Sequence, residues 1–118
     1  MPDRSDPKPE KRYVAHQREW KELRKQVLAG GKCAVGDCAV PATDCHHAIP
    51  RSLRGSDVRL NLVPLCHPHH MQYEDRDLGW EEVAGKIREG MTPEQVEYVV
   101  SKKSLEFLDR YYPLRKGC

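Results

Sequence analysis

Cysteine and histidine are crowded into one short stretch of this chain. Four of the five cysteines and five of the six histidines lie between Cys33 and His70. An odd number of cysteines with no secretory leader ahead of them argues against a disulfide framework. Thiol and imidazole groups at this density are typical of metal ligands. We therefore expect a small domain whose fold is organised by bound metal.

The composition explains why such a chain would need a metal. Only 38% of its 118 residues are hydrophobic and there is a single phenylalanine, so the apolar core is thin and an added staple is expected. No run of about 18 apolar residues is present, which predicts no membrane span and a cytoplasmic location. The net charge of +2 excludes a purely electrostatic, histone-like binder of nucleic acid. The surplus of positive charge lies in residues 1–32.

Two pairs of residues have the spacing of ligands to one zinc ion. Cys33 and Cys38 flank a tight-turn signal, and Cys66 and His69 stand at the start of a predicted helix. Together they predict a closed, tetrahedral Cys3His site for a structural Zn²⁺, in which binding is coupled to folding.

Cys45 and His67 are rival ligands for this ion. We interpret Cys45 as a small buried residue, because free cysteine is among the most often buried residue types. His67 is too close to Cys66 in the chain to chelate comfortably beside it. The alternative is that the cysteines are free thiols that behave as small hydrophobic residues.

The segment between these pairs predicts a second metal site. Residues 44–49 and 60–65 are predicted strands of a hairpin, joined by the long loop 50–59 and followed by a helix over 66–75. His70 and Glu74 are four residues apart on that helix, so they share a face, whereas His69 points elsewhere. His46, His70 and Glu74 can then hold one divalent ion with open positions for water and a phosphate oxygen.

Two further residues complete the predicted catalytic group. An imidazole titrates near about pH 6.5, so His47 is suited to take a proton from water. The Asn61 amide both donates and accepts, so it can clamp the long loop and orient His47. Consecutive strand residues point to opposite faces, so His46 and His47 reach one site only if the strand ends or distorts there. The alternative is that these histidines are extra zinc ligands or surface residues.

Three stretches of the sequence together resemble the HNH endonucleases, the ββα-metal or His-Me finger nucleases. They are CAVGDC at 33–38, DCHHAIPRS at 44–52 and NLVPLCHPHH at 61–70. The resemblance implies an α+β fold with a ββα-metal core, namely a two-stranded hairpin plus a helix, braced by a zinc knuckle. By position, His47 matches the general base and His46 a metal ligand, while Asn61 matches the motif's asparagine and His70 its final ligand. Glu74 falls where colicin-type nuclease domains place a further histidine ligand.

The resemblance also implies an activity. The expected reaction is hydrolysis of DNA phosphodiesters with one catalytic divalent ion (Mg²⁺, Mn²⁺, Ni²⁺ or Zn²⁺), with little sequence specificity. The chain is similar to small stand-alone members encoded by phages, some of which act beside DNA-packaging terminases. Expected partners are thus DNA and a terminase or other packaging protein, in the host cytoplasm, with the chain a monomer or weak dimer. The alternative is a zinc-braced DNA-binding or packaging accessory module.

The remaining sequence predicts what surrounds this core of residues 33–76. Residues 1–9 are expected to be a disordered arm, and residues 10–118 one nuclease domain. A basic helix over 10–29 precedes the core, and a helical extension over 79–112 follows it, with Thr92 as a helix cap. Predicted contacts to DNA phosphates come from the loop and from the basic helix. They are Arg51, Arg54, Arg59, Arg24 and Lys25.

Overall fold

The computed structural model describes residues 9–115, and their side chains from residue 16 onward. Within this range the chain is an α+β protein with five helices and one antiparallel two-stranded sheet. No helix in the described part is long and apolar enough to cross a membrane. The elements in chain order are α1 (Pro9–Leu28), β1 (Asp44–His47), β2 (Leu62–Leu65), α2 (His67–Glu74), α3 (Trp80–Gly90), α4 (Pro93–Lys102) and α5 (Leu105–Tyr111).

The hairpin and α2 form the centre of the molecule. β1 pairs with β2 in a register that sets Asp44 opposite Leu65 and His47 opposite Leu62. Cys66 is the N-cap of α2 and Pro68 lies in its first turn, where a missing N–H costs nothing. The predicted hairpin and the helix after it are therefore present.

Both strands are shorter than predicted, because a 3₁₀ turn and side-chain hydrogen bonds of Asn61 replace the strand pairing next to the long loop. The chain enters β2 through a 3₁₀ turn at Arg59–Asn61 rather than as strand. On the opposite side the Asn61 side chain accepts a hydrogen bond from Ile49 N (2.7 Å) and donates to Ile49 O (3.0 Å). Gly55 lies so close to the Ile49 carbonyl that an added Cβ would be 1.6 Å from its oxygen, so only glycine fits there.

The predicted C-terminal extension is helical, and its helices pack around the hairpin unit, which the sequence did not predict. α3 contributes Ile87, α4 contributes Val99 and α5 contributes Leu108 to one buried core with the hairpin. α4 begins with the predicted cap at Thr92, which forms a complete capping box with Gln95. The Gln95 amide also donates to Leu62 O (2.8 Å), which ties α4 to β2.

The N-terminal helix lies along the hairpin with one half-buried stripe. Trp20, Leu23 and Val27 lie on that stripe, while most of the other described side chains of α1 are exposed. The predicted disordered arm lies outside the described residues, except that Pro9 already belongs to α1.

Candidate metal centres and catalytic site

Three cysteines and one histidine meet where the turn of residues 33–38 lies against the start of α2. The ligand atoms of Cys33, Cys38, Cys66 and His69 all lie within 4.8 Å of one another. Cys38 Sγ is 3.7 Å from Cys66 Sγ, and His69 Nδ1 is 3.3 Å from Cys66 Sγ. A tetrahedron with Zn–S bonds of about 2.3 Å has an edge of about 3.8 Å, so the four groups fit a Zn²⁺ ion. The structure thus brings together the four predicted zinc ligands.

The backbone around these residues explains why they converge. Cys38 N donates to Val35 O (2.9 Å), which closes the turn between the first two cysteines. Ala34 N donates to Pro64 O (2.8 Å), which fixes that turn to the end of β2 next to Cys66. Burial raises the pKa of the Cys66 thiol to about 11, so without metal it is protonated at neutral pH. Metal binding must therefore displace its proton.

The two rival zinc ligands lie outside this group. Cys45 is half-buried rather than buried as predicted, with its Sγ 3.9 Å from Arg24 O. Its intermediate exposure follows from its place in β1, where it points away from α2 and toward α1. His67 is exposed, and its Nδ1 lies 2.9 Å from Asp44 Oδ2.

A second set of possible ligands lies beside the first, where β1 crosses α2. His46 Nδ1 is 3.4 Å from Glu74 Oε1, and His70 Nε2 is 3.6 Å from the same oxygen. The three donor atoms lie within 4.8 Å of one another. His46 is completely buried, yet its Nδ1 has no hydrogen-bond partner, whereas Glu74 is about half exposed. A lone pair left without a partner in the interior, facing an imidazole and a carboxylate, fits a divalent ion with solvent on one side.

The charges of this group suit metal binding at neutral pH. Glu74 is about half exposed, so its carboxylate is ionised at neutral pH as in an ordinary glutamate. Burial lowers the pKa of His46, which keeps this imidazole neutral with a free lone pair. The carboxylate of Glu74 raises the pKa of His70.

Asp44 contacts the His70 ring nitrogen that faces away from Glu74. Asp44 was not among the site residues predicted from the sequence. Its Oδ2 is 2.8 Å from His70 Nδ1, so the opposite ring nitrogen points to Glu74. Desolvation opposes ionisation of Asp44, but hydrogen bonds from His70 and His67 outweigh it and lower its pKa to about 2. A carboxylate behind a ligating imidazole fixes the tautomer and orientation of that ring.

His47 lies on the other face of β1, because the strand keeps its regular alternation. Its Nε2 is 2.7 Å from Asp57 Oδ1, and its ring stacks on Trp20 at 5.4 Å. The side chain is 15% exposed. The prediction that Asn61 orients His47 is therefore wrong in its direct form, since Asn61 bonds to Ile49 and Ser56 and the group that holds His47 is Asp57. The predicted loop clamp itself is confirmed.

Asp57 contacts Arg51 and His16 as well as His47. Arg51 Nε donates to its Oδ1 (2.9 Å), and His16 Nε2 lies 3.2 Å from its Oδ2. Desolvation raises the pKa of Asp57, but the hydrogen bonds from Arg51 and His47 lower it overall. The aspartate is thus an anion at neutral pH. No local spacing connects positions 47 and 57, so this contact could not be predicted from the sequence.

The five predicted phosphate contacts differ in whether their charged groups already bind another part of the protein. Arg51 is paired with Asp57 and lies over the Trp20 ring (4.8 Å), so its guanidinium is already committed. Arg24 Nη2 donates to Thr43 O (2.7 Å). Among the described residues Arg54, Arg59 and Lys25 form no ion pair with a carboxylate, and all three are exposed.

Comparison with known proteins adds nothing to this geometry. No protein-family model, no curated protein and no solved structure matches the chain.

Proposed function

We propose that this protein is a metal-dependent endonuclease that hydrolyses DNA phosphodiesters, built on the ββα-metal plan of the HNH enzymes. The observation that carries the proposal is the second ligand group, His46, His70 and Glu74, which converges beside the Cys3His group without sharing a residue with it. A purely structural zinc module needs only the first group. The second is half open to solvent and lies on the hairpin–helix unit, as a catalytic ion requires.

The residues of the second group point to the kind of ion they would hold. Two imidazole nitrogens and one carboxylate suit Mn²⁺, Ni²⁺, Co²⁺ or Zn²⁺, whereas Mg²⁺ prefers oxygen ligands. Bound there, such an ion would polarise a phosphate oxygen and stabilise the charge that develops at phosphorus and at the leaving oxygen. The Cys3His group would keep a structural Zn²⁺.

His47 is the base in this proposal. The ionised Asp57 carboxylate can only accept a hydrogen bond, so the 2.7 Å contact requires His47 to carry its proton on Nε2. The Nδ1 atom then has a free lone pair that can accept a proton from water as it attacks phosphorus. His46 and His47 leave β1 on opposite faces, but β1 ends at His47, so a phosphate within reach of both would lie at the carboxyl end of the strand.

The DNA backbone would follow the exposed, unpaired cations. Arg54 and Arg59 project from the long loop, and Lys25 from α1, so they flank the hairpin. Phosphate contacts of this kind position DNA without reading its sequence. This supports weak sequence specificity. A terminase or other phage packaging protein as partner is a further prediction.

Cleavage of supercoiled plasmid with a panel of divalent ions tests the proposal. Purified zinc-loaded protein should relax or linearise the plasmid with Mn²⁺ or Ni²⁺. His47→Ala should abolish cleavage while zinc content and far-UV circular dichroism stay unchanged. Gln72→Ala is the matched control, because this α2 side chain belongs to neither ligand group and donates its hydrogen bond to Leu78 O instead. Cleavage by His47→Ala at the normal rate would contradict the assigned base, and DNA binding without cleavage under every ion would favour the accessory-module alternative.

A further inference from the structure

The buried imidazole of His46 has a second partner that comes from the far end of the chain. His46 Nε2 lies 2.7 Å from the hydroxyl oxygen of Tyr112. The same hydroxyl lies 2.8 Å from the carbonyl oxygen of Ala48. His46, Tyr112 and Ala48 are all fully buried, so water does not compete for these bonds.

The directions of the two hydrogen bonds follow from counting protons. A carbonyl oxygen only accepts, so the single hydroxyl proton of Tyr112 is donated to Ala48 O. The Tyr112 oxygen must then act as acceptor toward His46, whose Nε2 therefore carries the imidazole proton. In a neutral imidazole the other nitrogen is then unprotonated. That nitrogen, Nδ1, is the buried atom that lacks a hydrogen-bond partner and faces Glu74 Oε1 at 3.4 Å.

Without this hydroxyl the opposite tautomer would be the better one. An Nδ1–H group could donate to the Glu74 carboxylate, and this charge-assisted bond would leave Nε2 as the bare nitrogen. In that form His46 presents a proton, not a lone pair, to the centre of the ligand group. The choice between the two tautomers is thus set by the group opposite Nε2.

We infer that Tyr112 is a positioning residue that locks His46 in its Nε2–H tautomer and so presents the Nδ1 lone pair to a cation held with His70 and Glu74. The role of the cation rests on the proposed function, whereas the tautomer is a property of the protein without that ion. The ring of Tyr112 is fixed for this task, since it stacks on Tyr73 at 5.2 Å with 6° between the planes. The residue that follows α5 therefore orients a member of the ligand group, while the C-terminal helices cover the core.

Tyr112→Phe tests the inference, because it removes the hydroxyl and keeps the stacked ring. Long-range ¹H–¹⁵N NMR of the zinc-loaded protein, with no second ion added, distinguishes the two imidazole tautomers. We expect Nε2–H at His46 in the wild type and a shift toward Nδ1–H in Tyr112→Phe. Tyr111→Phe is the matched control, since its ring stacks on Phe107 and makes no contact with His46.

Titration with Mn²⁺ gives the second readout, because this hard ion competes poorly for the Cys3His group. Loss of an outer partner of a ligating histidine lowers metal affinity by roughly 10- to 100-fold, which we expect for Tyr112→Phe and not for Tyr111→Phe. An Nδ1–H tautomer in the wild type overturns the inference even if the variant does not fold. So does a Tyr112→Phe variant with unchanged tautomer, or with a changed tautomer and unchanged Mn²⁺ affinity.

The two readouts also separate this inference from the proposed function. If the wild type binds no Mn²⁺ and cuts no DNA, the proposed ion site fails. The NMR comparison is still decisive for the hydroxyl of Tyr112, because it needs neither Mn²⁺ nor substrate.

Discussion

Asn61→Asp is the sharpest test of how the fold holds the candidate site. Asn61 is fully buried, and its amide nitrogen donates to Ile49 O and to Ser56 O, both at 3.0 Å. Aspartate has the same shape and keeps the bond from Ile49 N, but it loses both donors. A buried carbonyl left without a donor costs about 1–3 kcal/mol. This cost applies in full to Ile49 O, whereas Ser56 O is only partly buried, so we expect a loss of roughly 1–4 kcal/mol in unfolding free energy.

The same contacts determine how the stability of Asn61→Asp changes with pH. Desolvation and the two facing carbonyl oxygens favour the neutral acid, so the folded pKa of the new carboxyl rises above its unfolded value of about 3.9. Its contribution to stability is then greatest below that value and is lost as pH rises through the folded pKa. The difference in unfolding free energy between Asn61→Asp and the wild type should therefore increase from pH 5 to pH 8.

Urea unfolding at fixed free zinc, followed by tryptophan fluorescence, measures both effects. Gln72→Glu is the matched amide-to-acid control, because its side chain donates one exposed bond to Leu78 O and should cost less than about 1 kcal/mol. If Asn61→Asp unfolds within about 0.5 kcal/mol of the wild type at pH 8, well below the cost of an unsatisfied buried carbonyl, the loop clamp contributes little and the reasoning is wrong.

Three further predictions concern the two ligand groups and the base. Cys33→Ser should lose zinc and unfold, as measured by circular dichroism, because structural zinc contributes about 10–16 kcal/mol in small domains. The control Cys45→Ser should keep both its zinc and its fold. A folded Cys33→Ser protein would count against the zinc assignment. Asp57→Ala should slow single-turnover plasmid cleavage by roughly 100-fold with Mn²⁺ affinity unchanged, since His47 loses its orienting acceptor. An unaltered rate would remove Asp57 from this role. Because the pKa of Cys66 is raised to about 11, zinc affinity should increase with pH, and calorimetry in two buffers should detect proton release; binding without release would exclude thiolate ligation.

Local patterns predicted much of the fold because they act over a few residues. The turn between Cys33 and Cys38, the cap at Thr92 and the four-residue spacing of His70 and Glu74 each depend on backbone geometry that sequence fixes directly. The strand ends were less predictable. Asn61 bonds across the loop to Ile49 and replaces the ladder there, and no periodic pattern signals a side chain that acts as a backbone partner.

The contacts that orient the candidate catalytic groups join distant parts of the chain. Tyr112 reaches His46 across 66 positions, and Asp44 reaches His70 across 26. Their pairing depends on how α2 and α5 pack on β1, which is a property of the tertiary fold. Sequence spacing could therefore name the ligands but not the residues that set their tautomers.

The adjacency of His69 and His70 on one short helix would tie the proposed catalysis to the supply of zinc and to the redox state of the cell. An isolated helix of eight residues is unstable in water, so α2 depends on its anchors. Oxidation of the thiols that hold its first turn would release the helix and disperse His70 and Glu74 together. The proposed DNA cleavage would then stop under oxidative stress although none of the proposed DNA contacts had been modified.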